Sequence, residues 1–527
     1  MEKRIFIASF LLCFLLLGGY AAAQVRFDAV FESGSMGTVV QLRSPRHRGG
    51  AWHCYYRVNG HYDPANPIDT DLPANQNWYC FRISGAAGKY FHINMPENFV
   101  AGASWSYDGE QWQHFGAGES DQHNINKYFR KDTVYIALYK PYTYSYLQER
   151  FLDWTSHPYV TLDTIGFSHE GRPLQMLHIT DPNVPGDRKA RLWMHGRTHP
   201  SESPGSYMLD GFVDYLTADS PESASIRSQI DAYILPFANP DGVAGGLSRS
   251  NALGVNQEIN FARSEDSTVV EVRAIKSMFR KLTADRPLDF MLNSHTQLMP
   301  CAAFWMHRSD STSKTYLRKQ WTFTGLVCSQ NPYMRSREMR FSDGGVRYAE
   351  GWMWKHFADS TMAITLETPY FWYSLDRSKP VDDESLRSIG KRTLQAVAEY
   401  LGLSLPGRYI VETPEDPGED WTAYHGDGHS FLGRDAWEAV SDSAKMVYAL
   451  DSIPAGRYKI YRFEAGDCIE ATGGSELRGV RGAWIDPGTH GWVLLESFTQ
   501  DEPGPFSFCW HAGKAGDLAD ALLLVND

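Results

Sequence analysis

The chain has 527 residues, 43% hydrophobic and 21% charged, with a formal net charge of −13. That length supports a sizeable buried core and, at about 100–200 residues per domain, two to four domains. A general nucleic-acid binder would more often carry a net basic balance or a long basic run. Neither is present, so no nucleic-acid partner is expected.

Residues 1–23 open with Lys3 and Arg4, run apolar from Ile5 to Leu17, and reach Ala21-Ala22-Ala23 before Gln24. This is the pattern of a cleaved secretory signal peptide, so a secreted or periplasmic protein is expected. With the signal removed, no apolar run is long enough to span a membrane. Cys13 lies in the signal. The other six cysteines form three sequence-local pairs, Cys54 with Cys80, Cys301 with Cys328, and Cys468 with Cys509. In an exported chain these are candidate disulfides, although six cysteines permit fifteen connectivities. No C-x-x-C occurs, so a thiol metal site or redox motif is not indicated.

Residues 24–150 hold short aromatic and β-branched runs, Trp52–Val58, Trp78–Ser84, Tyr90–Asn94 and Thr133–Tyr139, separated by turn residues. That spacing predicts an N-terminal β-sandwich. Residues 151–404 alternate strand-like runs with helical periodicity, which predicts an α/β sheet. In order these are strand Arg191–His195, helix Glu202–Leu216, strand Ala232–Phe237, helix Glu271–Leu282, strands Leu288–Leu292 and Met362–Leu366, and helix Asp383–Leu401. Residues 405–420 are a Pro-rich acidic linker. Residues 421–527 are again β-like, clearest at Met446–Leu450, Tyr458–Phe463 and Trp492–Phe498.

His199-Pro200-Ser201-Glu202 sets two zinc-type ligands three residues apart, where a predicted strand gives way to a helix. A second strand runs into His295 and a third, Ala363-Ile364-Thr365-Leu366, into Glu367. Sites in open α/β sheets gather at the carboxyl ends of strands. A catalytic zinc takes three protein ligands and leaves one position for water. His199, Glu202 and His295 supply that set for one Zn2+, the imidazoles neutral and the carboxylate ionised. Serine-hydrolase chemistry has no G-x-S-x-G to support it.

On these residues the sequence resembles the zinc metallocarboxypeptidase family. Thr164–Leu174 resembles the family's opening strand and Gly196–Ser206 its H-P-x-E zinc loop. Asn239-Pro240-Asp241-Gly242, followed by Ser248-Arg249, resembles its N-P-D-G…R segment. Ser294-His295 matches the third-ligand position and Leu366-Glu367 the catalytic Glu. Phe31-Glu32-Ser33-Gly34 and Asp132–Leu147 resemble the N-terminal sandwich of the cytosolic-carboxypeptidase, deglutamylase-like branch, here in an exported bacterial-type form. The resemblance implies an α/β fold, with a central mixed sheet flanked by helices and β-sandwich domains at both ends. It implies a peptide or peptide-like substrate, attacked by zinc-activated water. Glu367 would take the water's proton and pass it to the leaving amine. Arg249 would face the developing oxyanion.

The sequence also departs from the family. The family's G-V-D-L-N-R follows N-P-D-G, and its Asn and Arg bind the substrate's terminal carboxylate. Here the stretch is Gly254-Val-Asn-Gln-Glu-Ile-Asn-Phe-Ala-Arg263. Aligned without a gap, Asn-Arg falls on Glu258-Ile259. With a two-residue insertion, Glu258-Ile259-Asn260 takes D-L-N and Phe261 replaces Arg. The gapped reading is preferred because it keeps acid–aliphatic–Asn, so Asn260 is a substrate-binding candidate and Arg263 a cation able to reach back. In both, the Arg whose planar fork grips a carboxylate is gone. The bond cut is then expected away from a free C-terminus, with a zinc amidase or esterase on peptidoglycan or glycan-linked peptides as the alternative.

Tyr333–Tyr348 carries Arg335, Arg337, Arg340 and Arg347 against Glu338 and Asp343. The resemblance sets this stretch near a substrate-contacting Tyr, for which Tyr348 is the candidate, and its arginines would favour acidic residues. Ala515–Val525 resembles the close of golvesin-like β-sandwich modules, which implies a cell-wall or polysaccharide partner. Trp421, Trp437, Trp484 and Trp510 are candidate sugar platforms. A catalytically silent binding protein is the reading of a different class. The intact His199, Glu202, His295, Arg249 and Glu367 oppose it.

Overall fold

The computed structural model describes residues 24–65, 75–334, 337–342, 345–374, 378–426, 431–433, 436–464, 468, 481–485 and 491–526. The proposed signal peptide lies outside the described residues, as do the side chains of Arg335, Arg337, Glu338, Asp343 and Trp484. Among the described residues no helix is long and apolar enough to cross a membrane. The chain divides into two compact units. One gathers the residues up to Asp63 with Ala74–Pro141 and Gly245–Ser248, and the other holds Pro64–Pro73, Tyr142–Ala244 and Arg249–Asp527.

The first unit is built from strands β1 (Arg26–Asp28), β2 (Val39–Arg48), β3 (Ala51–Val58), β4 (Cys80–Ser84), β5 (Lys89–Asn94), β6 (Ser104–Ser106), β7 (Trp112–His114), β8 (Asn124–Phe129) and β9 (Val134–Ala137). They form two sheets, in the orders β1-β4-β9-β6-β7 and β2-β3-β5-β8. Alternation decides which side chains enter the core. Along β5, Phe91 and Ile93 are buried, while Tyr90, His92 and Asn94 are half-exposed. On β3, Cys54, Tyr56 and Val58 point in. One face of this sheet is therefore packed and the other faces water.

The second unit is organised by β10 (Val160–Phe167), β11 (Pro173–Ile179), β12 (Ala190–Gly196), β13 (Ile230–Leu235), β14 (Phe290–Gln297), β15 (Ala302–His307), β16 (Arg337–Ser342) and β17 (Met362–Pro369). Their order is β10-β11-β13-β12-β14-β17-β15-β16, with Arg481–Ile485 added beyond β16. The four inner strands β13, β12, β14 and β17 run parallel, and antiparallel strands join them on both sides. Every residue of β14 is buried, as a strand covered on both faces requires. Trp193, Met291 and Ala363 lie in register across β12, β14 and β17. They share one buried cluster with Ile275 and Phe279 of helix Val270–Leu282 and with Trp352 of helix Ala349–Phe357.

Helix Ser203–Thr217 covers the opposite face. Gly205 lets its backbone approach β14, where a Cβ would stand 3.1 Å from Ser294 Oγ. Its Gly211 and Gly390 of helix Asp383–Tyr400 bring the two helices together so closely that a Cβ on either would strike backbone of the other. The structure thus has the expected α/β mixed sheet with helices, and further β-sheets toward both termini.

In the C-terminal region one sheet joins Arg408–Val411, Leu522–Asn526, Gly456–Glu464 and Gly491–Gln500. Smaller sheets carry Trp421–Ala423 and Lys445–Ile453. Tyr448, Tyr458, Ile460, Leu522 and Leu524 build their common core. Trp421 is buried there, and Trp437 and Trp510 pack against the same cluster. Burial thus removes Trp421 from the expected sugar platforms, while Trp437 and Trp510 stay half-exposed.

The disulfide expectation is corrected. Cys54, Cys80, Cys328 and Cys509 are thiols, so none of the three pairs is bridged. Cys54 and Cys80 sit on β3 and β4, in different sheets. Burial pushes the Cys80 thiol well above its ordinary value. Cys328 ends helix Lys314–Cys328, and Cys301 stands 3.8 Å from the Gln297 side-chain amide. Cys509 is exposed, 3.7 Å from His511, and is not joined to Cys468.

The buried carboxylate of Glu399 ties helix Asp383–Tyr400 to the C-terminal strands. It accepts from Arg392 at 2.6 and 2.9 Å, from Arg408 at 2.5 Å and from Trp492 Nε1 at 3.0 Å. Burial alone would raise this carboxyl, but the two guanidiniums outweigh it and hold it below the ordinary value. A depressed folded pKa contributes stability above the unfolded value, and that stability is lost as pH falls through the folded one. Glu399→Gln is therefore expected to cost about 3 kcal/mol at neutral pH by leaving buried cations underpaired. Urea titrations should show the gap to wild type closing below about pH 4.

Candidate metal centre and active-site cleft

β12 ends at Gly196, and the next six residues turn into helix Ser203–Thr217. Arg197 makes that turn with φ of 54°, in the left-handed region, which a non-Gly residue adopts only when its surroundings impose it. Its buried guanidinium donates to Pro200 O at 2.6 and 3.0 Å, to Tyr142 O at 3.0 Å and to Ser206 Oγ at 3.1 Å. Burial pulls this guanidinium down to about 10. Asn239 holds the loop from the other side, donating to Thr198 O and Ser250 O at 3.2 and 3.0 Å. Asp241 accepts from Ser168 Oγ and Arg172, both at 2.7 Å. Asn239 thus fastens the ligand loop, and Asp241 fastens the turn between β10 and β11.

So held, His199 and Glu202 meet His295 of β14. Their donor atoms lie within 4.8 Å of one another, and all three residues are buried. Both imidazoles turn Nδ1 toward one carboxylate, His199 at 2.9 Å from Glu202 Oε1 and His295 at 2.8 Å from Oε2. Thr296 N donates to the same carboxylate at 3.0 Å. The far nitrogens are also engaged. His199 Nε2 lies 3.2 Å from Asn256 Oδ1, and His295 Nε2 lies 3.2 Å from Glu258 Oε2. Metal-binding histidines are oriented by such partners on the second nitrogen.

Electrostatics at the cluster favour a cation. Burial lowers His199, and the nearby Arg249 lowers it further. Burial opposes charge on His295 too, but Glu202 and Glu258 outweigh it and raise that imidazole well above its usual value. Burial alone would raise Glu202, yet the two imidazoles hold it far below the carboxylate range. Two imidazoles and a carboxylate, each held by a further partner, are the donor set zinc takes. His199, Glu202 and His295 would hold it.

A cleft of about 530 Å³ opens on the cluster, lined by His199, Arg249, Glu258, His295, Trp305, His307, Tyr348, Glu350, Thr365 and Glu367. Glu367 is paired across the sheet with His295 in register. Trp305 Nε1 on β15 donates to Glu367 Oε1 at 2.5 Å. Burial raises the Glu367 carboxyl and the Glu202 charge adds to it, with His295, Arg340 and Trp305 opposing. A carboxylate oriented by an indole and moved upward in pKa suits a group that accepts and returns a proton. Arg249 and Tyr348 reach the cleft, Tyr348 at the start of helix Ala349–Phe357.

Asn260 and Arg263 are not among the residues lining the cleft. The short 3-10 turn Gln257–Ile259 rotates them away. Asn260 is buried and donates to Asn256 O at 2.6 Å, while the Arg263 carbonyl accepts from Lys276 at 2.7 Å. Glu258 enters the cleft instead, steadied by Asn293 Nδ2 at 3.0 Å. Asn260 and Arg263 therefore do not take the expected place in the cleft, and Glu258, the Asn position of the ungapped reading, does. Phe261, expected in place of the Arg, is a core residue.

Glu258, Glu350, Trp305, Thr365 and His307 were missed. The ungapped alternative already pointed to Glu258, whereas no spacing in sequence brings Trp305 to Glu367. Of the clustered arginines, Arg340 donates to Gln297 Oε1 at 2.9 Å and stacks over Trp305, and Arg347 lies over the Tyr348 ring.

Residues 149–427 match the family model described as zinc carboxypeptidase. Cytosolic carboxypeptidase 6 of Mus musculus is 23% identical over 76% of this chain and 78% of its own. Cytosolic carboxypeptidase 2 of Danio rerio is 26% identical over 51% of this chain, which spans only 40% of that relative. Among solved structures, a metallo-carboxypeptidase from Burkholderia cenocepacia superposes with a TM-score of 0.60 at 20% identity, over 71% of this chain and 98% of its own.

Metal analysis of the purified chain should find one zinc, absent in His295→Ala. Glu258→Gln is expected to retain the fold but weaken zinc binding by about 10–100-fold in chelator competition, the usual cost of losing a partner on the second histidine nitrogen.

Proposed function

Because the chain belongs to the zinc carboxypeptidase family and is a zinc metallopeptidase, we propose that it hydrolyses a peptide bond whose leaving side does not end in a free α-carboxylate. The observation that carries this reading is Glu258. A carboxylate lines the cleft, followed by Ile259, where the family's Asn and Arg grip the substrate terminus. Like charges in a partly buried cleft repel, and the cationic fork that would offset this is missing.

Bound zinc supplies the Lewis acidity that polarises the scissile carbonyl and acidifies a water. The residues do the rest. Glu367, held by Trp305, takes the water's proton and returns it to the departing amine. Arg249, at the mouth of the same cleft, donates to the carbonyl oxygen as negative charge develops there. Tyr348 orients the substrate beside it. Glu258 sets a carboxylate in the lining, which disfavours an acidic group placed beside it. The acidic preference expected from the arginines is not carried forward, since Arg340 is turned to Gln297 and Trp305.

Amidated, branched or cross-linked peptides meet these requirements, and wall peptides are among them. Export belongs to the same reading and rests on the Lys3-Arg4, apolar and Ala21-Ala22-Ala23 pattern. Sequencing the N-terminus of secreted protein should find Gln24 first, and an intact Met1 would sink this part.

The direct test pairs one peptide sequence as free acid and as amide. The amide is expected to be cut with kcat/KM at least about tenfold higher, the effect of one uncompensated like charge. Cleavage of the free acid alone would overturn the reading. Glu367→Gln should lower kcat by about 10²–10⁴ while zinc content is unchanged.

A further inference from the structure

The water-facing side of the β2-β3-β5-β8 sheet has a composition unlike the rest of the chain. Acidic residues number 63 in 527 overall, yet none occurs on these four strands. Arg43 and Arg46 on β2 and Arg57 on β3 are exposed. Beside them runs a column of stacked rings. Tyr55 stacks on His92 at 4.5 Å, and His53 on Tyr90 at 5.1 Å. The Arg43 guanidinium caps the column, 3.4 Å over Tyr55. The rings are also tied edge to edge, His53 Nδ1 to His92 Nε2 at 3.0 Å and His92 Nδ1 to Asn126 Oδ1 at 2.7 Å.

This arrangement does not follow from stability. The core of the sheet is made by Cys54, Tyr56, Phe91 and Ile93 on the other face. A row of exposed cations with no carboxylate on its own strands is self-repelling, and in an acidic protein the composition is ordinarily mixed. The column fixes Arg43 flat against a ring, so its N–H edge is presented to solvent in a set direction. Such a fork matches a carboxylate.

We propose that this face is a second binding site, separate from the cleft in chemistry, for an acidic polypeptide segment whose carboxylates pair with Arg43, Arg46 and Arg57. It is independent of the hydrolytic reading, because none of these three arginines lines the cleft. Its occupant is a stretch rich in Glu or Asp in an extended conformation, in which same-side carboxylates recur about every 7 Å.

The test uses the full chain carrying Glu367→Gln, so that the probe stays intact, and a short fluorescent oligoglutamate read by anisotropy. Binding is expected, weakening with added salt. Arg43→Glu/Arg46→Glu/Arg57→Glu should weaken it at least about tenfold. The same triple change in the otherwise native enzyme should leave kcat on a small amide substrate unchanged. A milder Arg→Gln set serves if the charge reversal does not fold, and should weaken binding in the same direction. Unaltered oligoglutamate binding by a folded triple variant would overturn the proposal. So would tighter binding of hyaluronan or single-stranded DNA than of oligoglutamate.

Discussion

One carboxylate, Glu202, receives two imidazoles and a backbone amide, and the arrangement of the catalytic unit around it follows from that convergence. His199 comes from the loop after β12, and His295 from the neighbouring parallel strand β14. Such a cluster forms only if the loop is pinned to within a few tenths of an ångström. The pinning is done by Arg197, which accepts a left-handed backbone in exchange for four hydrogen bonds, and by Asn239 below it. The close approach at Gly205 then seats the helix that carries Glu202 directly on β14.

The partners of the far imidazole nitrogens give the site its individuality. Asn256 and Glu258 lie two residues apart on one short turn and reach different histidines. Glu258 thereby has two effects at once. It orients His295, and it places a carboxylate in the lining of the cleft. Glu350, close to it and accepting from Thr365, is raised by burial and by the Glu258 charge, so it resists becoming a second anion beside it. Trp305 completes the cleft by fixing the one carboxylate that must remain able to exchange a proton.

Charge is distributed unevenly beyond the cleft as well. The buried Glu399 unites two arginines and an indole at the junction of helix and C-terminal strands, where pairing is needed because the groups are desolvated. The cations of β2 and β3, by contrast, are exposed and have no acid on their own strands. The first arrangement is accounted for by stability, and the second points outward to a ligand.

The sequence by itself indicated the fold class and singled out His199, Glu202, His295 and Glu367, which the structure brings to one site. Those residues stand at the ends of predicted strands, and strand-end position is read directly from local periodicity. It also showed that the carboxylate-gripping Arg was missing. It left the register of the stretch 254–263 open, since acid–aliphatic–Asn is matched equally well by a gap. Only the tertiary structure showed which residue of that stretch enters the cleft, because a 3-10 turn aims Glu258 inward and Asn260 back into the protein. The same holds for the cysteines, whose pairing depends on where strands of different sheets lie, and for Trp305, which reaches Glu367 from another strand. Local pattern specifies which face a residue takes on its own element, but which elements then face one another is settled by packing.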